Sequence, residues 1–362
     1  MPQPPPEVAW FAALCDDDYE FLGVPDPTLV SSWPHCRDIT LTADRNGYDN
    51  ILLPSGYALG IDSVAFAGGV AALTEQIHLL VAVRCGELWV PQLARQLATL
   101  DQMLGGRLTI NIISSDRPGE ALDSEPRYQR TLEVMTALRT LLDGEHLTLD
   151  GEFHQLDLDP PRVGTVSGRC PPLYFGGFSP AAKDTAAAAA DMFLTWPDTV
   201  AAVGDTVADM RDRATAKGRS LRYGLRTHVI VRETEAEARA AAERLVSKLD
   251  PDTGEAIRNR SLDAASAGVQ RQAELRDAAR DDGYVEANLW TGIGRARSGA
   301  GAAIVGDPDQ VRAKLDAYRE VGIDAFILSG YPHEPECERF ARLVLDDYPH
   351  APLSQTWENR HP

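Results

Sequence analysis

Two side chains that can carry positive charge, within one short run, give the strongest chemical signal in this sequence. Arg226 and His228 lie two residues apart in the segment 223–231, where most of the remaining residues are apolar. Side chains two apart on a β-strand point to the same face of the sheet. A guanidinium binds a sulfonate, phosphate or carboxylate through two parallel hydrogen bonds. The spacing therefore favours an anion site over a charge network that is satisfied within the protein.

Further polar side chains follow another predicted strand. The apolar run 324–329 leads directly into the segment Tyr331-Pro-His333. Parallel α/β folds bind ligands at the carboxyl ends of their strands. Tyr331 and His333 are therefore candidates for contact with a ligand.

Two glycine-rich segments are candidate anion sites. Gly176 and Gly177 follow a predicted strand, and Ser179 precedes an alanine-rich helix whose N–H groups could hold a phosphate. An ordinary strand–helix turn with Ser179 as N-cap is the alternative. The segment 292–301 contains Arg297, and it is either a loop that closes over an anion or a solvated linker.

Other chemistry has weaker support. Trp196 ends a predicted strand, where a tryptophan belongs more often to the core than to a cofactor wall. His228 and His333 could bind a metal with a carboxylate, but their spacing specifies no metal site and we expect none. The sequence contains neither a nucleophile elbow nor an H-E-x-x-H motif.

The elements that must position these residues alternate between strands and helices. Short β-type runs predict strands at 8–14, 51–53, 77–83, 108–113, 173–177, 192–196, 223–231 and 324–329. Helical runs follow most of them, at 27–47, 63–74, 91–104, 127–142, 180–190, 200–217, 235–248 and 308–321. Eight such units predict an α/β fold, a (β/α)8 TIM barrel with insertions. A doubly wound sheet is the main alternative, but no G-x-G-x-x-G fingerprint follows the first strand.

We expect residues 1–362 to form one barrel domain with three additions. Residues 1–7 are proline-rich and are predicted to be disordered. The alternating pattern of residues 145–160 predicts an inserted β-hairpin. Residues 250–300 begin with a polar, weakly patterned stretch, and we expect a mobile insertion that acts as a lid.

The composition excludes several classes of protein. The net charge of −19 argues against binding nucleic acid or an anionic membrane through the overall field. The five cysteines are an odd number and form no closely spaced metal or redox pair. The first ten residues lack the basic and apolar regions of a signal peptide, so we expect none, and no apolar run reaches about 18 residues. These features indicate a cytoplasmic protein.

Several blocks between residues 172 and 333 resemble those of a known family. They are Pro172-Leu-Tyr-Phe-Gly-Gly, Phe193-Leu-Thr-Trp, Tyr223-Gly-Leu-Arg-Thr-His-Val-Ile-Val-Arg-Glu-Thr, Asn288-Leu-Trp, Gly299-Ala-Gly, Ile304-Val-Gly-Asp and Ile327-Leu-Ser-Gly-Tyr-Pro-His. In order and chemistry they resemble the alkanesulfonate monooxygenases, which are luciferase-like flavin monooxygenases. The resemblance extends from about residue 40 to about residue 350.

The resemblance implies a TIM barrel that binds FMN as FMNH2, supplied by a separate NAD(P)H-dependent flavin reductase. With O2, such an enzyme oxidises an organosulfonate, either an alkanesulfonate or a sulfosugar, and releases sulfite and an aldehyde. A homodimer or homotetramer is also implied. The implied site residues are catalytic Arg226, His228, Arg297 and Tyr331, substrate-binding Trp196 and His333, and flavin-binding Ser114, Tyr128, Gly176, Gly177 and Ser179.

Three segments on the substrate side depart from the family pattern. Residues 12–18 replace a Thr-His-Gly-rich stretch, residues 55–60 lack a reactive-site cysteine, and Arg84-Cys85-Gly86 replaces Arg-Pro. Tyr57 is a candidate substrate contact that restores a polar group or narrows the pocket. These departures favour, as the first alternative, an FMNH2-dependent monooxygenase of the same group with a non-sulfonate substrate. A deazaflavin-dependent dehydrogenase, or a flavin-binding protein without turnover, is the second.

Overall fold

Eight parallel strands close into a barrel within the part of the chain that the computed structural model describes, residues 3–115, 117, 119–120, 122–259 and 266–356. The strands are β1 (Glu7–Phe11), β2 (Asn50–Leu53), β3 (His78–Arg84), β4 (Leu108–Ile113), β5 (Leu147–Asp150), β6 (Gln155–Leu158), β7 (Leu173–Gly176), β8 (Met192–Thr195), β9 (Arg222–Val231), β10 (Tyr284–Glu286), β11 (Leu289–Trp290), β12 (Ala303–Gly306) and β13 (Ala325–Ser329). The barrel runs in the order β1-β2-β3-β4-β7-β8-β9-β13, and β13 pairs with β1 to close it.

Helices surround the barrel, and most of them connect one barrel strand to the next. They are α1 (Trp33–Arg45), α2 (Ser63–Val70), α3 (Val90–Met103), α4 (Ser124–Leu142), α5 (Pro180–Ala189), α6 (Val200–Ala216), α7 (Glu235–Val246), α8 (Pro251–Asn259), α9 (Ala267–Asp277), α10 (Pro308–Glu320), α11 (His333–Leu343) and α12 (Leu353–Thr356). Many begin at a polar N-cap whose side chain accepts a hydrogen bond from the backbone N–H three residues on. These caps are Ser32, Asp62, Ser179, Thr199, Thr234, Ser266 and Asp307.

The barrel interior follows from the alternation of side chains along each strand. Phe11, Leu52, Leu80, Tyr174 and Ile327 belong to one buried apolar cluster inside the barrel. Their neighbours along the strands belong to a larger cluster shared with the surrounding helices. Because both faces of each strand are covered, the strands are apolar almost throughout, and β3 is buried along its whole length.

Two insertions extend the barrel. Between α4 and β7, β5 and β6 form the antiparallel hairpin that the sequence predicted over residues 145–160. The Glu133 carboxylate of α4 fastens it by accepting backbone hydrogen bonds from Glu152 and His154 at 2.8 and 2.9 Å. Between β9 and β13 lie α7 to α10 and β10 to β12. There β12 pairs with residues 228–231 of β9, beyond the point where β8 ends.

Some predicted boundaries are wrong, for local reasons. α1 begins at Trp33 and not at residue 27, because Ser32 supplies the N-cap and accepts from the His35 N–H. The stretch 250–285, which showed little pattern, contains α8 and α9. α8 has its polar residues outward and a single buried glycine, which explains its weak sequence signal.

The prediction that the proline-rich start is disordered also needs correction. Glu7 is the first residue of β1, and the Pro6 carbonyl accepts a hydrogen bond from the Ala351 N–H at 3.0 Å. The prediction of disorder over residues 1–7 is therefore wrong for these two residues, which the far end of the chain holds in place.

Candidate active site

The ends of the barrel strands place polar side chains inside the mouth of the barrel. Along β3, Arg84 lies on the same face as Leu80, which belongs to the interior cluster. Along β9, Arg226 occupies the inward face, with its guanidinium 4.3 Å from the centre of the Phe11 ring. Both arginines are almost fully buried. Two cavities open between these strand ends and the loops that follow them.

One cavity contains the predicted flavin residues. It has a volume of about 440 Å³, within the usual range of ligand pockets. Its lining includes all five, Ser114, Tyr128, Gly176, Gly177 and Ser179. Apolar side chains from four barrel strands complete the wall, Leu52, Ile113, Leu194 and Ile327. An apolar wall with one polar end suits a molecule that has a flat ring system and a charged tail.

The polar end of this cavity is a close-packed glycine turn. A Cβ atom at Gly176 would lie 2.3 Å from the Leu194 carbonyl oxygen, and one at Gly177 would lie 2.5 Å from the Ala182 Cβ. α5 begins directly after the turn, with Ser179 as its N-cap. Backbone N–H groups and the helix dipole at such a place favour an anion. The residues present therefore fit the phosphate of a flavin mononucleotide.

A second cavity of about 270 Å³ adjoins the first. Five predicted site residues line it, Tyr57, Trp196, Arg226, Arg297 and Tyr331. The two cavities share Leu52, Asn111, Ile113, Trp196 and Arg226. Arg226 thus lies where a cofactor in one cavity and a substrate in the other would meet. Tyr57 is 71% exposed, so it forms the outer rim and not the interior.

Arg226 is a buried cation, and no carboxylate of the described residues lies at salt-bridge distance from it. Its Nη1 donates to the Thr227 carbonyl oxygen at 2.6 Å, and its Nη2 donates to Ser329 Oγ at 2.8 Å. Burial, and then the nearby Arg297, lower the pKa of Arg226 to about 9, so it is charged at neutral pH. A buried charge without a counter-ion favours the binding of a charge of opposite sign.

Arg297, in contrast, is already paired. Its Nη1 donates to the Asp17 carboxylate at 2.6 Å and to the Tyr331 hydroxyl at 2.8 Å. Burial alone would lower the pKa of Arg297, but Tyr331 and Asp17 outweigh it and raise the pKa. Burial also raises the pKa of Tyr331, which keeps the phenol protonated. The Tyr331 oxygen therefore accepts from Arg297 and retains a proton that it can donate.

His228 lies outside the lining of both cavities, contrary to the prediction that it lines the site. It is fully buried against Tyr331, and the two rings stack with centroids 5.1 Å apart. Its Nδ1 lies 2.8 Å from the Ser329 Oγ that accepts from Arg226. Burial, and then neighbouring cations, lower the pKa of His228 well below its usual value. The neutral ring supports Tyr331 and Ser329, and it adds no positive charge to the anion site.

His333 is also fully buried and lies outside both linings. The Asp18 carboxylate accepts from the His333 backbone N–H at 3.0 Å, and it also lies 3.0 Å from Nδ1 of the ring. The other carboxylate oxygen of Asp18 lies 2.9 Å from His35 Nε2. Burial opposes ionisation of Asp18, but His333 and His35 lower the pKa of this carboxyl. His333 therefore holds the loop after β1 against α11 and does not line the second cavity.

The comparison with known proteins decides the family. The profile of the luciferase-like monooxygenases matches residues 21–325 of the chain. The chain belongs to this family. It is 63% identical over 355 residues to a sulfoquinovose monooxygenase of Novosphingobium aromaticivorans, covering 96% of this chain and 98% of that protein. It is 51% identical over 342 residues to a sulfoquinovose monooxygenase of Agrobacterium fabrum, covering 94% and 89%.

A solved structure agrees with the barrel of this luciferase-like monooxygenase. The crystal structure of a riboflavin lyase with modified FMN and riboflavin matches with a TM-score of 0.77 and 15% identity, over 94% of this chain and 91% of the other. At that identity the likeness shows the fold alone. The predicted (β/α)8 fold, the monooxygenase class and the family resemblance are confirmed.

Several residues at the cavities of this luciferase-like monooxygenase were not among those predicted from the sequence. Asp17 and Arg84 line the second cavity, Asn111 lines both cavities, and Asp18 anchors the loop behind them. Arg84 and Asn111 lie at or near strand ends, and the two aspartates follow the first strand. The rule that strand ends carry function points to them. Asp17, Asp18 and Arg84 lie in segments that depart from the family pattern, and Asn111 lies in the predicted strand 108–113.

Neither a metal-binding cluster nor a membrane-spanning helix occurs among the described residues. In this part of the chain, no group of three His, Cys, Asp or Glu side chains is arranged to hold a metal ion. None of the helices described is both long enough and apolar enough to cross a membrane.

Proposed function

We propose that this protein uses reduced FMN and O2 to oxidise the sulfonate-bearing carbon of a sulfosugar, with release of sulfite. Arg226 carries the proposal, because this buried cation lies on the shared lining of the two cavities and has no carboxylate partner among the described residues. The names of the two relatives support the substrate class, since sulfoquinovose is a hexose whose C6 carries a sulfonate group.

The proposed reaction balances with these reactants alone. The carbon–sulfur bond of R–CH2–SO3⁻ breaks, and the carbon becomes an aldehyde that takes one oxygen atom of O2. The sulfur leaves as hydrogen sulfite, and the second oxygen atom leaves as water. FMNH2 is oxidised to FMN and supplies two electrons and two protons, and the carbon–sulfur unit supplies the other two electrons that reduce O2.

In this proposal the second cavity binds the substrate and is called the substrate cavity. Its side chains have separate roles. Arg226 binds the sulfonate oxygens through paired N–H donors. Because Arg226 lies on both linings, the carbon–sulfur bond is held at the junction of the cavities. Tyr331 keeps its proton and donates a hydrogen bond to the oxygen on which negative charge develops. Arg297 and His228 fix the Tyr331 ring, one through its hydroxyl and the other by stacking.

The flavin belongs to the larger of the two cavities. We place its phosphate at the turn 176–179, with Tyr128 beside it, and its ring toward Trp196 and Arg226. The turn supports this placement, because it lines the cavity directly before the N-terminus of α5. When bound, reduced FMN supplies the electrons that activate O2. Trp196 lies on the shared lining and helps to close the junction against water.

Two partners complete the proposal. A separate NAD(P)H-dependent reductase supplies FMNH2, as the resemblance to two-component enzymes implies. The protein works in the cytoplasm as a homodimer or homotetramer. Light scattering after size-exclusion chromatography tests the assembly, and a monomer would contradict it.

Sulfite release tests the function. We expect the protein, incubated with FMN, a flavin reductase, NADH, O2 and sulfoquinovose, to release one sulfite per aldehyde formed. Arg226→Met should lower kcat/KM by about 1,000-fold, since losing one partner of a buried charge pair costs about 2–5 kcal/mol. Circular dichroism checks that the variant is folded.

The control for this experiment is Arg95→Met. Arg95 lies on the exposed side of α3, so its loss should leave sulfite release unchanged. An absence of sulfite from the wild type, or near-normal activity of Arg226→Met, would reject the proposed function or the role of Arg226, respectively.

A further inference from the structure

The substrate cavity contains buried polar atoms that the protein itself does not satisfy. Asp17 and Arg84 both line the cavity and are only 8% and 5% exposed. Asp17 Oδ1 and Arg84 Nη1 have no hydrogen-bond partner among the described residues. Buried polar atoms in folded proteins are nearly always paired. These two atoms therefore indicate a ligand that supplies the missing partners.

Both side chains are held in place by their remaining atoms. Oδ2 of Asp17 accepts from Arg297 at 2.6 Å, which leaves Oδ1 as the unused acceptor. Nη2 of Arg84 donates to the Ser55 carbonyl oxygen at 3.1 Å, and Nε forms an ion pair with the Glu87 carboxylate at 3.1 Å but makes no hydrogen bond among the described residues. The unused acceptor of Asp17 and the unused donors of Arg84 are complementary to hydroxyl groups, because a hydroxyl can both donate and accept.

Asp17 and Arg84 belong to other elements than Arg226. Arg84 is the last residue of β3 and Asp17 lies in the loop after β1, whereas Arg226 belongs to β9. Arg297, the partner of Asp17, lies over the same Phe11 ring as Arg226, with guanidinium-to-centroid distances of 5.4 and 4.3 Å. A substrate whose sulfonate is bound at Arg226 would therefore lie in the same cavity as Asp17 and Arg84, which both line it.

We propose that Asp17 and Arg84 bind hydroxyl groups of the substrate and so select a polyhydroxylated sulfonate over an unhydroxylated alkanesulfonate. The inference rests on the proposed function and names the residues that decide its substrate class. A site built to hydrogen-bond a hydroxyl rejects the analogue that lacks it by about 10⁴–10⁵-fold, because its buried polar groups are left unpaired. A hexanesulfonate in this cavity would leave Asp17 Oδ1 and Arg84 Nη1 without hydrogen-bond partners.

The test is Arg84→Met, which removes the donor and keeps an unbranched side chain. The Kd values of sulfoquinovose and 1-hexanesulfonate are measured by anaerobic calorimetry with FMNH2, and kcat/KM is measured by sulfite release. We expect Arg84→Met to weaken sulfoquinovose binding by about 100-fold and hexanesulfonate binding by less than about tenfold. Arg84→Lys, which keeps a donor, should recover part of the loss. Arg95→Met, on the exposed side of α3, should change neither value.

The outcomes separate this inference from the proposed function. An equal loss for both sulfonates in Arg84→Met, or a loss for neither, overturns the role of Arg84 in hydroxyl recognition. A wild type that binds sulfoquinovose but releases no sulfite counts against the proposed function, and the calorimetric comparison still decides the inference. A wild type that binds neither sulfonate overturns both.

Discussion

The candidate active site has one wall that matches the family pattern and one that includes segments departing from it. We call the first the flavin-side wall, formed by Tyr128 and residues 176–179. The second is the loop-side wall, formed by Asp17, Arg84 and Arg297, where Asp17 and Arg84 belong to departing segments and Arg297 belongs to the family pattern. Both line the cavities at the mouth of the barrel. The flavin-side wall offers hydroxyl groups and the backbone of a glycine turn. The loop-side wall offers buried charged side chains that are partly paired with each other and with their neighbours.

Under the proposed function, the difference between the walls reflects what each wall has to bind. A phosphate is bound well by backbone N–H groups at a helix start, so the glycine turn is itself a recognisable pattern. A substrate is distinguished by side chains that match its own donors and acceptors, so this wall changes when the substrate changes. The departures from the family pattern are therefore where the specificity of this protein should be sought.

The largest further effect is expected on the loop-side wall, from Asp17→Ala. Loss of the carboxylate leaves the Arg297 guanidinium buried without its counter-ion, so the free energy of unfolding should fall by about 3 kcal/mol. Urea denaturation at neutral pH measures the change. The control is Asp309→Ala, which removes a well-exposed partner of Arg312 and should leave the free energy almost unchanged. Equal changes in the two variants would show that burial does not strengthen the Asp17–Arg297 pair.

A smaller effect is expected on the flavin-side wall, from Gly177→Ala. The new Cβ would lie 2.5 Å from the Ala182 Cβ, so the turn has to shift. Overpacking of this kind costs about 1–3 kcal/mol, and we expect FMN to bind at least about tenfold more weakly in a fluorescence titration. At Gly164 an added Cβ meets nothing within 4 Å, so Gly164→Ala should leave FMN affinity unchanged. Unchanged affinity in a folded Gly177→Ala variant would remove this turn from the flavin site.

The smallest effect concerns the pH dependence of the Asp18–His35 pair behind the loop-side wall. The hydrogen bond to Asp18 raises the pKa of His35, so the folded protein holds this proton more tightly than the unfolded chain does. The resulting stability is fully present below the unfolded pKa of about 6.5 and is lost as the pH rises through the higher folded pKa. His35→Gln should flatten this part of the profile of Tm against pH, measured by calorimetry. Parallel profiles for wild type and variant would contradict the coupling.

Local patterns predicted most of the barrel and the turn at residues 176–179, whose role as a flavin site stays a prediction. The almost continuous apolar run at 77–83 predicted a strand, which the structure places at His78–Arg84. Such a run is typical of a strand that is buried on both faces, and it is visible in the sequence alone. Ser179 caps α5 as its place before the alanine-rich run indicated. The short strands β10 to β12 escaped prediction, because they are only two to four residues long and form through pairing with each other and with β9.

By itself, the sequence determined that Arg226 and His228 face the same side, because alternation along a strand is a local property of the backbone. Only the tertiary structure decided which of them meets a ligand, since closure of the barrel buries His228 against Tyr331 and leaves Arg226 at the junction of the cavities. Asp17 and Arg297 are separated by 280 residues and yet lie in hydrogen-bond contact. Such a pair depends on the closure of the whole barrel, and no local pattern of residues contains that information.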